Sequence, residues 1–75
     1  MKRFQNIDSL VRGNGDITVG RIGPVECAAV ASDGDRQLVA LVRGRREPFE
    51  DLLSRLDLAI KRALEEDDFL DEING

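Results

Sequence analysis

The sequence predicts an α+β domain in which a three-stranded antiparallel β-meander is followed by one amphipathic C-terminal helix (βββα). Three short segments between residues 16 and 42 are rich in β-branched and aliphatic residues, and turn residues separate them. A longer segment, residues 48–66, repeats apolar residues at helical spacing. The 75 residues, 41% apolar and 35% charged, suit one small domain. We predict a core domain at residues 16–66, between an N-terminal arm (1–15) and an acidic tail (67–75).

The N-terminal arm carries Phe4, Ile7, Leu10 and Val11 at the spacing of one helical face. The segment is short and has no good cap, so a strand, or an arm that orders only on contact, is an equal alternative. Gly13-Asn14-Gly15 ends whichever element precedes it, because these residues favour positive φ.

Two turn signals divide the following segment into strands at residues 16–22, 25–32 and 36–42. Gly23-Pro24 separates the first two strands, and Asp33-Gly34 is a strong signal for a two-residue hairpin loop. Two-residue loops would pair Ile22 with Val25 and would place Val30 opposite Gln37.

This register makes both faces of the sheet apolar, whereas a sheet with one wet face alternates apolar and polar residues. One face would carry Ile17, Val19, Ala28, Val30, Val39 and Leu41. The other would carry Ile22, Val25, Cys27, Ala29, Leu38, Ala40 and Val42. One helix can cover only one face, and we expect it to cover the first, because the small residues of the second allow close approach of a partner.

The uncovered face predicts a homodimer, since identical apolar patches commonly pair around a two-fold axis. Val25, Leu38 and Val42 are the expected interface residues. Edge pairing of the third strand is an alternative route to a dimer. The N-terminal arm, folded back over the same face, is the competing explanation.

Residues 48–66 predict the C-terminal helix. Pro48 suits its first turn, where nearby acids complement the helix dipole. An apolar stripe follows, made of Phe49, Leu52, Leu53, Leu56, Ala59, Ile60, Ala63 and Leu64. On the wet side, the pairs Asp51–Arg55 and Asp57–Lys61 have the spacing of intrahelical ion pairs. Leu58 alone lies opposite the stripe.

The tail places Phe69, Leu70 and Ile73 among four acids. These apolar residues either fold back onto the core as an extra turn or form an acidic docking tail that orders on a protein partner.

The chain lacks histidine, the usual general base of enzymes near neutral pH. It also has no tyrosine or tryptophan, and its single Cys27 lies in an apolar strand without a local activating base. We therefore predict no catalytic, cofactor-binding or metal-ligating residues, no cofactor and no enzymatic activity. A lone cysteine favours the cytoplasm, and no apolar run approaches the length that spans a membrane.

A basic turn, defined by Arg43, Arg45 and Arg46, is the one concentrated positive feature. Arginines on a turn can bind phosphates, which makes nucleic-acid binding the alternative function. However, residues 47–75 carry ten acidic and three basic residues. We expect this turn to be solvated, or to meet the acids of another subunit.

The predicted order of elements resembles that of small bacterial and phage antitoxins, including the HicB type, whose sheet is also followed by a helix. The resemblance lies in element order only, and no motif residue is carried over. It implies a small regulatory protein that binds another protein. The leading prediction is therefore a non-enzymatic protein–protein interaction module, with an antitoxin-like binder as one possibility.

Overall fold

The computed structural model describes residues 3–74 and shows an open four-stranded sheet with two helices packed on one face. In chain order the elements are α1 (Gln5–Arg12), β1 (Asp16–Ile22), β2 (Val25–Ser32), β3 (Gln37–Val42), α2 (Phe49–Glu66) and β4 (Leu70–Asp71). The strands lie in the order β1-β2-β3-β4; the first three are antiparallel, and β4 runs parallel to β3. The predicted α+β class is confirmed, with α1 and β4 as additions.

The first turn forms as predicted, but the register beyond it is shifted by one residue. Ile22 pairs with Val25, and Gly23 has the positive φ (58°) that a tight hairpin turn requires. A β-bulge follows, and Gly20 instead of Val19 then pairs with Ala28. Gly20 has a φ of +142°, which residues with a Cβ rarely adopt, so the bulge lies next to a glycine that can accommodate this conformation.

The predicted two-residue loop of the second hairpin is wrong. Ser32 pairs with Gln37, which leaves a loop of four residues, 33–36. The Asp33 carboxylate holds this wider loop, because it accepts hydrogen bonds from the backbone N–H groups of Asp35 (3.2 Å) and Arg36 (3.1 Å). A second irregularity follows, after which Ala31 pairs with Val39 and Leu38 has no direct partner on β2.

These shifts change the predicted composition of the two sheet faces, because a one-residue slip moves a side chain to the opposite face. The helix-covered face carries four residues that were predicted for it: Ile17, Val19, Val39 and Leu41. It also carries Cys27, Ala29 and Leu38, which the predicted register places on the other face. Ala31, which was predicted for neither face, lies there as well. Conversely, Ala28 and Val30 lie on the uncovered face. Leu38 is only 1% exposed.

The apolar stripe of α2 covers the centre of the first face. Its buried residues are Leu52, Leu56, Ala59, Ile60 and Ala63, of which all but Ala59 are fully inaccessible. The two ends of the predicted stripe lie outside the core, since Phe49 and Leu64 are exposed. The helix ends at Glu66, and its C-cap residue, Asp67, has a left-handed φ of 54° that turns the chain back toward the sheet.

The helix α1 lies in the same layer as α2. Leu10 is buried in the common core, and Ile7 packs against that core. The helix α1 therefore adds to the helix-covered face. The competing explanation required Phe4, Ile7 and Leu10 to fold over the opposite face, and Ile7 and Leu10 do not lie there.

Candidate functional site

The side of the sheet opposite the helices carries apolar residues that no helix within residues 3–74 covers. Two rows of paired residues cross it: Thr18, Val30 and Ala40 in one row, and Gly20, Ala28 and Val42 in the next. The Ile22–Val25 pair extends it toward the first turn. We call this surface, comprising Ile22, Val25, Ala28, Val30, Ala40 and Val42, the outer face.

The outer face is smooth at its centre and polar at its margins. Ala28 and Ala40 are inaccessible, yet neither belongs to the core cluster beneath the helices. Their methyl groups lie between the larger side chains of Val30 and Val42, which are half-buried. Thr18 and Asp71 are at the two ends of the row through Val30 and Ala40. An apolar centre with a polar rim is the usual composition of a protein interface.

Asp71 marks the charged margin of the outer face. Its carboxylate accepts hydrogen bonds from the backbone N–H groups of Asn74 and Ile73, both at 3.0 Å. These bonds lower the pKa of Asp71 below its usual range, and the bond from Asn74 has the largest effect. The Asp71 carboxylate therefore carries a negative charge at neutral pH.

Two of the three predicted interface residues lie on the outer face. Val25 and Val42 are half-buried there, next to the start of the basic turn. Leu38 belongs to the core cluster, so an acidic substitution at this position would disrupt folding and would not test dimerisation selectively.

The three arginines of the basic turn differ in their contacts with the rest of the protein. The Arg43 side chain donates to the backbone carbonyl of Glu47 (2.9 Å) and lies 5.8 Å from the ring centre of Phe49. Arg45 and Arg46 are exposed and form no salt bridge with any other residue in the range 3–74. Two unpaired arginines form a smaller anion-binding surface than the three that the sequence suggested.

The tail folds back onto its own chain. Leu70 pairs with Val39 in the parallel ladder, and the Phe69 ring lies 4.7 Å from the Arg36 guanidinium. Ile73 is half-buried, whereas Phe69 and Leu70 remain exposed. Of the two interpretations of the tail, this arrangement favours the first, although Leu70 joins the edge strand β4 and Phe69 and Ile73 flank it, where an extra helical turn was expected.

The tail also occupies the edge of β3. The Glu72 N–H donates to the Ala40 carbonyl (2.7 Å), and the Glu72 carboxylate accepts from the Val42 N–H (2.9 Å). Pairing of β3 with another molecule, the alternative route to a dimer, would require displacement of this segment.

An ion cluster around Arg55 attaches the tail to α2, and sequence reasoning missed it. The Arg55 guanidinium binds both carboxylate oxygens of Glu47, at 2.7 and 2.9 Å. It also contacts a Glu72 oxygen (3.1 Å) and the Val42 carbonyl (3.0 Å). The predicted partner, Asp51, forms no salt bridge with Arg55, because Glu47 and Glu72 occupy its donors.

The Arg55 cluster strongly favours the charged form of Glu47. The hydrogen bonds from the Arg55 side chain and the Gly44 N–H lower the pKa of Glu47 from its usual 4.5 to about 2. In turn, the Glu47 hydrogen bond raises the pKa of Arg55 above its usual range.

The described residues hold no constellation that suggests metal chemistry. In the range 3–74, no three His, Cys, Asp or Glu side chains are placed to hold a metal ion together. Cys27 is half-buried and packs against the core. Neither helix in this range is long and apolar enough to cross a membrane.

No protein-family model matches this sequence, and no curated protein or solved structure matches it either. The functional inference therefore rests on the surfaces of the fold itself.

Proposed function

We propose that this protein is a non-enzymatic protein–protein interaction module that forms a homodimer through its outer face. One observation carries the proposal: the sheet is apolar on both sides, and both helices lie on the same side. A single Cys27 without a disulfide partner supports action in the reducing cytoplasm. An antitoxin-like regulator is one role for such a dimer, supported by element order alone.

The size of the outer face suits a reversible dimer. Strands lie about 4.8 Å apart and rise about 3.3 Å per residue, so three strands of six residues offer a flat area of roughly 300 Å² per subunit. Apolar patches of this size are often functional on small proteins. Two such faces would bury roughly 600 Å² in total, less than the roughly 1,200 Å² at which stable specific interfaces begin, so we expect a weak, transient dimer with a dissociation constant no tighter than on the order of 10 μM.

The shape of the outer face suits pairing with its own copy. The central residues, Ala28 and Ala40, keep the middle of the surface low, while Val30 and Val42 rise beside them. When two such surfaces meet around a two-fold axis, the valines of one subunit can fill the low positions of the other. The polar ends of the rows then remain in contact with solvent.

Sedimentation equilibrium tests the proposal. We expect the wild-type protein to show twice the chain mass of 8.3 kDa at concentrations well above the dissociation constant. Val30→Asp should reduce the mass to that of one chain. Val30→Thr, which keeps the shape and the strand preference, should weaken association while the protein remains folded. Val11→Asp, on the exposed side of α1, is the matched control and should leave the dimer intact.

A single species at the mass of one chain, at about 100 μM wild-type protein, would refute the dimer. If Val30→Thr, still folded by circular dichroism, associated as tightly as the wild type, the outer face would be excluded as the interface.

A further inference from the structure

The two outer strands of the meander, β1 and β3, differ in charge. The strand β1 has no strand beyond it within residues 3–74, and it carries the exposed charges of Asp16 and Arg21. Charged side chains on an edge strand oppose its pairing with other chains. The strand β3 carries no charged residue, and five of its six residues are apolar. Without β4 beside it, β3 would therefore be the less protected edge of the sheet.

The tail covers the β3 edge with little backbone ladder of its own. The strand β4 has only two residues, and beyond it the Glu72 N–H donates to the Ala40 carbonyl (2.7 Å). Before it, the Phe69 ring lies 4.7 Å from the Arg36 guanidinium. Side-chain contacts at both ends therefore help to hold the tail against the sheet.

Glu72 and Arg55 take the place of a strand partner for Val42. The Arg43 N–H donates to the Cys27 carbonyl on β2 (3.1 Å), so the N–H and C=O groups of Val42 point to the opposite side, toward the edge. The Glu72 carboxylate accepts from the Val42 N–H (2.9 Å), and the Arg55 guanidinium donates to the Val42 carbonyl (3.0 Å). Arg55 and Glu72 also bind each other (3.1 Å). Loss of the Glu72 side chain would free the Val42 N–H and break the link to α2 together.

We infer that the tail is an autoinhibitory strap, which keeps the β3 edge from pairing with β3 of a second copy of this chain. A second copy suits this edge because β3 has no charge that would repel its own copy. Antiparallel pairing of two β3 strands about a two-fold axis would satisfy the edge groups of Ala40 and Val42. Such pairing would extend the sheet sideways and leave the outer face free, so the inference does not rest on the outer-face dimer.

Amide hydrogen exchange of the full chain tests the role of Glu72. In dilute protein, Glu72→Ala should accelerate exchange of the Val42 amide about tenfold or more, because this amide loses its acceptor. Glu66→Ala is the matched control, since Glu66 is an exposed acid near the tail that forms no salt bridge within residues 3–74. Unchanged exchange of Val42 in Glu72→Ala would overturn the inference.

The dependence on protein concentration tests the pairing. The background is Val30→Asp, which removes association through the outer face. In this background, Glu72→Ala should reach twice the chain mass by sedimentation equilibrium below about 1 mM, and the Val42 amide should regain protection as the mass rises. Glu66→Ala in the same background should keep the mass of one chain and a protected Val42 amide throughout. The inference is overturned if the Glu72→Ala variant exchanges Val42 rapidly and still has the mass of one chain at about 1 mM.

The Val42 amide also separates this inference from the outer-face dimer. If Val30→Asp fails to fold, Glu72→Ala in the otherwise unchanged chain gives the same readout, because association through the outer face leaves the β3 edge open to solvent. Protection of Val42 that returns at high concentration supports edge pairing. Association without renewed protection of Val42 would refute edge pairing and leave the outer-face dimer intact, whereas a monomeric wild type would refute only the outer-face dimer.

Discussion

The carboxylate of Asp57, in the middle of α2, caps the N-terminus of α1 through Asn6. The Asn6 backbone N–H donates to Asp57 Oδ1, and the Asn6 side-chain amide donates to Oδ2, both at 2.9 Å. The Ile7 N–H donates to Oδ1 as well. The N-cap residue of α1, Phe4, forms no side-chain cap, so the cap comes from another helix. This use of Asp57 explains why the predicted Asp57–Lys61 salt bridge does not form in the described range.

Asp57→Ala should destabilise the protein by about 0.5–2 kcal/mol, the usual cost of a lost N-cap. Hydrogen exchange of the Asn6 and Ile7 amides should accelerate, and chemical denaturation should give the change in stability. Glu65→Ala, at an exposed acid of the same helix without a hydrogen-bonded partner in residues 3–74, is the control. Equal stability of the two variants would exclude the cap.

Leu56→Ala should cost about 2–5 kcal/mol, because Leu56 is fully buried at the centre of the core. On a small domain with a stability of about 5 kcal/mol, this loss should leave much of the protein unfolded. Leu64→Ala is the matched control, since Leu64 on the same helix is 52% exposed. A Tm for Leu56→Ala that equals the control would contradict the packing of α2.

Gly15→Ala should destabilise by about 1–3 kcal/mol through overpacking. A Cβ at Gly15 would lie 2.7 Å from the Leu10 carbonyl oxygen and would overlap the Leu10 side chain. At Gly13 an added Cβ would be 3.4 Å from the nearest atom, the Ser9 carbonyl oxygen. Gly13→Ala is therefore the tolerated counterpart, and thermal melts in which both variants matched the wild type would contradict the close approach of α1 and β1.

The stability of the protein should fall as the pH drops from about 4.5 to about 2. The folded-state pKa of Glu47 is lowered from 4.5 to about 2. The stabilisation by the charged Glu47 carboxylate is therefore fully present above pH 4.5, and it is lost as the pH falls from 4.5 to about 2. Solvent screening reduces the effect, because Arg55 is partly exposed. Glu47→Gln should flatten the dependence of Tm on pH in this window without removing it, since the pKa values of Asp33 and Asp71 are also lowered. Parallel curves for the two proteins would rule out the ion pair as the cause.

The free arginines of the basic turn should have no role in binding nucleic acids. We expect the wild type and the Arg45→Gln/Arg46→Gln variant to show no measurable binding to single-stranded or duplex DNA by fluorescence anisotropy. Arg43 is kept, because it supports the loop. Micromolar, salt-sensitive binding by the wild type that the double variant lost would instead establish the nucleic-acid function.

The extents of the main elements could be predicted because short-range signals determine them. The turn residues bound β1 and β2, and the apolar stripe defines α2. The register depended on details that no local pattern encodes. The Asp33 carboxylate widens the second loop, and the bulge next to Gly20 shifts the first hairpin. The existence of an unpartnered apolar face was therefore predictable, but the position of Leu38 was not.

The Arg55 cluster was beyond sequence reasoning for a different reason. Its partners Glu47 and Glu72 lie 8 and 17 residues away, outside the spacing at which helical residues meet. The loop before α2 brings Glu47 to the guanidinium, and the fold of the tail brings Glu72 there.

The parallel pairing of β4 with β3 also has a consequence for aggregation. The strands β1, β2 and β3 are joined by short loops, whereas β4 reaches β3 only after the chain has crossed the whole of α2. The Glu72 N–H donates to the Ala40 carbonyl and thereby covers part of the β3 edge. Release of the tail would expose this apolar strand edge to other chains, so we expect a variant with a released tail to aggregate more readily than the wild type.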